Sequence, residues 1–201
     1  MSKTKKFFEN NNNFNDFYYF YIEYLNKILS NIDLDKLNAL KERIKKIKGD
    51  NATIFTIGNG GSATTASHIA TDFSFANRNA LHDFKCISLC DNLGLITAVG
   101  NDTSFDDIFT VQLERLATKK DLVIFISGSG NSQNLISAAN FCKSKSIDTA
   151  GFLSFDGGKL LSLLDYPILF KSELGDYGQA EDCHLILNHI IANYFRFKNN
   201  R

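Results

Sequence analysis

The chain has 201 residues, 44% of them hydrophobic and 22% charged, which suits one globular domain with a full core and excludes a disordered chain. Its 22 basic residues balance 22 acidic ones, so no global field recruits nucleic acid or an anionic membrane. No stretch approaches the ~20 apolar residues of a membrane span, and residues 1–13 lack the apolar run of a secretory signal.

Residues 1–13 are basic and then asparagine-rich, and are expected to be a disordered end before a single domain over residues 14–201. From residue 14 to 31, Phe17, Tyr21, Tyr24, Leu25 and Ile28 recur at helical spacing, and Ile32 continues the pattern. Aromatic residues surround this helix on several faces (Phe17, Tyr18, Tyr19, Phe20, Tyr21), so subunit association is expected to bury what the core does not. Asp33 reads as the cap of a second helix whose buried stripe is Leu37, Leu40, Ile44 and Ile47.

After Asp50 the rhythm changes to short apolar runs at 53–57, 86–89, 122–127, 149–153 and 166–170. Helical segments lie between them at 63–75, 105–116, 133–145 and 158–163, and a last helix runs over 181–197. Strand alternating with helix predicts an α/β fold, a parallel sheet covered on both faces. Pro167, the only proline, places the last strand at an edge, because proline cannot donate to a ladder. Cys86, Cys90, Cys142 and Cys183 fall in apolar segments and read as buried reduced thiols, and the expected compartment is the cytoplasm. Cys86 and Cys90 have no second pair to complete a metal set.

Two strand-to-helix turns carry the first chemical signal. The first strand ends in Gly58-Asn59-Gly60-Gly61-Ser62, and the third in Ser127-Gly128-Ser129-Gly130-Asn131-Ser132. Helix N-termini present free N–H groups, glycine lets the backbone approach an anion, and serine adds short donors. Glycine and serine also simply build turns, but two such turns at the ligand-binding edge of one sheet favour a phosphate. The first turn meets the loose dinucleotide pattern with Asp83 downstream; the triple-serine turn has no part in that pattern.

The second signal is ionisable. His68 and Asp72 are four apart on the helix after the first turn and share a face, as a proton-passing or metal-binding pair would. In the last helix Cys183, Ile186, Leu187, Ile190, Ile191 and Tyr194 form the apolar stripe, and His189 lies off its centre. Helical spacing makes Asp182, seven residues back, the partner of His189. His184 points elsewhere, across a subunit boundary or into a hydrogen bond, and His82 reads as a loop residue.

These residues together resemble the sugar isomerase (SIS) domain, and most of all its phosphoheptose isomerase branch; Gly100-Asn101-Asp102 adds to the likeness, which spans the whole chain. The resemblance implies a flavodoxin-like SIS fold, a three-layer sandwich with a five-stranded parallel sheet and N-terminal helices. It also implies a homotetramer with active sites between subunits, and conversion of sedoheptulose 7-phosphate to D-glycero-D-manno-heptose 7-phosphate for bacterial lipopolysaccharide or capsule. By position, Ser127, Gly128, Ser129 and Ser132 would hold the phosphate, and Asn59, Gly60, Gly61, Ser62, Asn101 and Asp102 would line the sugar with Asp72 and Glu181.

His68, Asp72, Glu181 and His189 fall where the family binds zinc, one ion per subunit, and Asp72 and His189 would be catalytic. Two positions depart from the family, which has glutamate at Asp72 and glutamine at Glu181. The shorter aspartate would set its carboxylate ~1.5 Å further back, where errors near 1 Å can cost ~100-fold in rate. The resemblance makes Glu181 the companion of His189, whereas helical spacing makes it Asp182. An isomerase of another phosphosugar is a second reading. A non-catalytic SIS module that senses sugar phosphates or binds a replication initiator is a third.

Overall fold

The computed structural model describes residues 2–76 and 84–198, so His82 and Asp83 lie outside the described residues. Three helices come first: α1 (Lys3–Asn10), α2 (Phe14–Leu29) and α3 (Leu34–Gly49). Residues 3–10, expected to be disordered, are therefore helical. Their stability comes from far along the chain: the buried carboxylate of Asp176 accepts the N–H groups of Lys3 and Thr4, and Phe7 stacks on Phe20 with ring centroids 4.1 Å apart. A carboxylate at a helix N-terminus satisfies orphan donors and opposes the helix dipole.

Strands β1 (Thr53–Gly58), β2 (Lys85–Ser88), β3 (Leu122–Ser127), β4 (Asp148–Ser154) and β5 (Tyr166–Phe170) form one sheet in the order β2-β1-β3-β4-β5, every pairing parallel. Every residue of β1 and β3 is buried, as the continuous apolar runs of a doubly covered sheet require. Pro167 sits in the edge strand β5. The remaining helices are α4 (Gly61–Thr71), α5 (Leu93–Asp102), α6 (Thr110–Leu116), α7 (Gln133–Lys145), α8 (Leu160–Leu163) and α9 (Tyr177–Lys198). No element was expected over α5, whose last residues are the Gly100-Asn101-Asp102 of the family likeness. A π-helical turn, Asp72–Ala76, continues α4.

Two apolar clusters cover the two faces of the sheet. On one, α2, α3, α4 and α9 bring Ile28, Ile44, Ile69 and Leu187 against Ile124, Ile126 and Phe152. On the other, α6, α7 and α8 bring Leu113, Leu135 and Leu160 against Val123, Phe125 and Leu153. Alternate residues of β3 thus feed opposite layers, which makes the three-layer sandwich.

The strand order reverses between β1 and β3, the switch point at which ligands sit in open parallel sheets. Gly58 and Ile126 are register partners there, so the two glycine-rich turns leave the sheet side by side.

Candidate active site

The first corner joins β1 to α4 through Gly60, whose φ of 55° and ψ of −126° suit only glycine. Gly60 caps α4 with no side chain. Ser62 is buried in the first turn of α4. Asn59, expected on the sugar, makes a reciprocal amide pair with Asn134 of α7, both bonds 2.9 Å. That pair ties the first corner to the helix that begins at the second.

The second corner runs from β3 to α7. Ser127 Oγ accepts the N–H of Gly130 (3.0 Å), and Ser129 Oγ accepts that of Asn131 (3.3 Å). Gly130 has φ +63°, and a Cβ there would collide with the carbonyl oxygen of Gly157, so a side chain at 130 would displace the turn. Ser132 holds the cap position of α7 with no side-chain cap bond. The exposed ring of Tyr177 lies over Gly128 and meets Phe155 edge-on, centroids 5.1 Å apart. Asn101 and Asp102 stand at the C-terminal end of α5, where Asn101 Nδ2 donates to Asp102 Oδ1 (2.7 Å).

The ionisable centre joins α4 to α9. His68 Nε2 lies 3.4 Å from Asp72 Oδ2, His189 Nε2 lies 3.6 Å from the same oxygen, and the two imidazole nitrogens are 3.2 Å apart. Asp72 falls at the start of the π-helical turn, and despite its shorter side chain it reaches both rings. Zinc bound at about 2.0–2.1 Å in a tetrahedron separates its ligand atoms by about 3.4 Å. Three donors at 3.2, 3.4 and 3.6 Å therefore fit a zinc ion with one position left for water or substrate.

Two expectations for α9 are corrected. Neither Glu181 nor Asp182 is the partner of His189. The Glu181 carboxylate packs against Gly61, where a Cβ would collide with it, at the N-terminus of α4. It is outside the one metal-capable group among the described residues, His68, Asp72 and His189. Asp182 accepts the hydroxyl of Tyr21 at 2.6 Å; burial and that bond push the Tyr21 phenol well up, so it stays a donor. Both acids point away because their partners come from α4 and α2, which spacing within α9 cannot reveal.

His184 faces no boundary. It is fully buried, 3.0 Å from Ser154 Oγ and against the Phe170 ring, and burial pushes its imidazole down to about 4. Burial also pushes all four thiols up, so they are inert at neutral pH. The sequence reading missed Asn188, whose Nδ2 donates to Asp72 Oδ2 at 2.6 Å. The available signal was polarity on an apolar stripe: Gln179, His184 and Asn188 are buried polar residues on the face of α9 that feeds the core.

Comparison with known proteins agrees with this geometry. The SIS domain family model matches residues 20–154. A phosphoheptose isomerase of Thermodesulfovibrio yellowstonii is 36% identical over 160 residues, 80% of this chain and 79% of the relative. Phosphoheptose isomerase 2 of Campylobacter jejuni is 36% identical over 155 residues, 77% and 76% of the two chains. Among solved structures, a phosphoheptose isomerase from Francisella tularensis shares the fold with a TM-score of 0.81 at 19% identity, over 93% of this chain and 96% of that one. The chain belongs to the SIS-domain family and, within it, to the phosphoheptose isomerases.

Proposed function

We propose that this chain is an aldose–ketose isomerase that converts sedoheptulose 7-phosphate to D-glycero-D-manno-heptose 7-phosphate for bacterial lipopolysaccharide or capsule. The observation that carries the reading is the meeting of His68, Asp72 and His189, from segments more than a hundred residues apart, in a fold with two anion-suited corners at its switch point. The phosphate belongs at the second corner, on Ser127, Gly128, Ser129 and Ser132. Gly60, Gly61, Ser62, Asn101, Asp102 and the Asn59 amide belong to the sugar side.

The reaction moves one proton between C1 and C2 through an enediolate. Asp72 takes the C1 proton and returns it to C2. His189 Nε2 faces the same space as Asp72 Oδ2: free of metal, that nitrogen moves the hydroxyl proton between O1 and O2, and as a zinc ligand it would leave that transfer to solvent. His68, Asp72 and His189 would hold zinc, one per subunit, and a bound zinc supplies Lewis-acid polarisation of the sugar oxygens.

His68 and His189 have 45% and 47% of their side chains exposed in the single chain, so excluding water from the reaction needs further walls. Tyr18, Tyr19 and Ile22 of α2 and Ile190 and Tyr194 of α9 are also exposed. Both facts support a homotetramer with active sites between subunits. Reduced cysteines support a cytoplasmic enzyme, and no described helix is long and apolar enough to cross a membrane.

The test is incubation of the pure protein with sedoheptulose 7-phosphate, followed by NMR, with and without a chelator. Conversion that the chelator stops and zinc restores is the expected result. No conversion under any condition overturns the assignment.

A further inference from the structure

Asn188 is fully buried on α9, next to His189 and against the core. Its Nδ2 donates to Asp72 Oδ2 at 2.6 Å, the same carboxylate oxygen that faces both imidazoles. Its other atom, Oδ1, is buried with no hydrogen-bond partner. A buried acceptor without a donor is a cost to folding, and an apolar side chain of the same size would avoid it. Packing alone therefore does not account for an amide at this position. Its nitrogen does.

From this we infer that Asn188 is a positioning residue: it fixes the Asp72 carboxylate so that Oδ2 closes the triangle with His68 and His189. The inference rests on the proposed centre but goes beyond it, since the hydrogen bond of Asn188 is to Asp72 and not to either imidazole. An aspartate side chain turns about χ1 and χ2, and the regular α backbone of Asp72 (φ −64°, ψ −41°) does not by itself fix it in one rotamer. A single short bond from the facing helix removes that freedom. It also couples the two helices of the centre, because Asn188 and His189 are consecutive on α9 while His68 and Asp72 share α4 and its extension. Outer partners that orient metal-binding carboxylates typically change affinity or activity 10–100-fold when removed.

The experiment compares the wild-type chain with Asn188→Leu, near in size but without the donor, and with Asn188→Ala should the first not fold. Thermal melting, zinc affinity by competition with a chromogenic chelator, the visible spectrum of the cobalt-loaded protein, and kcat and KM are all measured. A positioning role gives a melting temperature close to wild type, zinc affinity lowered ~10–100-fold, a changed cobalt spectrum, and kcat lowered ~10–100-fold with KM nearly unchanged. A folded variant with zinc affinity and kcat within about twofold of wild type overturns the inference. So does a variant that loses only stability. If wild type binds zinc yet converts no sedoheptulose 7-phosphate, the proposed substrate falls while the zinc comparison still decides Asn188. A wild-type chain that neither binds zinc nor turns over removes the centre, and the inference with it.

Discussion

The two corners are made from the same parts, a buried strand, a glycine-rich turn and a helix N-terminus, yet the fold uses them differently. The first is already answered from within: the Glu181 carboxylate packs on Gly61, and Asn59 is tied to Asn134. The second keeps Ser127 and Ser129 bonded to its own N–H groups, leaves Ser132 without a side-chain cap bond, and has an aromatic ring over Gly128. One helix N-terminus thus faces a carboxylate of the chain itself, and the other is the one to which the proposed function assigns the phosphate. The lesson is that a glycine–serine turn identifies a place where an anion can bind; whether the chain fills that place itself depends on a residue 120 positions away.

The largest expected effect lies on the helix that leaves the first corner. Asp72→Asn should lower kcat by ~10³-fold, the range of a lost general base, with the fold intact by circular dichroism. Near-normal turnover would move the chemistry off α4. The next test reads stability. His184 anchors α9, which carries Glu181 to the first corner and His189 to the centre. Its imidazole is held at about 4 in the folded chain, below the ordinary 6.5. Between those values the unfolded chain binds the extra proton, so this contribution is present above pH 6.5 and is lost as pH falls toward 4. The loss should reach about 3 kcal/mol at pH 4, measured by urea unfolding across that range, and His184→Gln should flatten the dependence.

At the second corner, Ser132→Ala should raise KM for the phosphosugar ~10-fold with kcat little changed, as a lost hydrogen bond to a charged group implies. An unchanged KM would take the phosphate away from this turn. The smallest effect belongs to Glu181→Gln. Because that carboxylate stands at Gly61, zinc affinity by chelator competition should stay within about twofold of wild type. A tenfold change would return Glu181 to the metal set.

Much of this was legible in the sequence, for local reasons. Strands β1 and β3 are continuous apolar runs because both faces are covered, and Ser127 and Ser129 of the second corner bond within a few residues of themselves. What was hidden depends on distant partners. Helix α1 looks frayed until Asp176 is brought beneath its first turn. Helix α5 carries Gly94 and Gly100, which weaken its local propensity. The companions of Glu181, Asp182 and Asn188 all lie on other helices. His68 and Asp72 could be paired from their spacing, but only packing of α4 on α9 brings His189 to them.

The most direct measurement of the central claim is exchange of the C1 protons of sedoheptulose 7-phosphate with deuterated water, followed by proton NMR for the wild-type chain and for Asp72→Asn. The account expects exchange with the wild type and none above background with the variant. Equal exchange in both would contradict it.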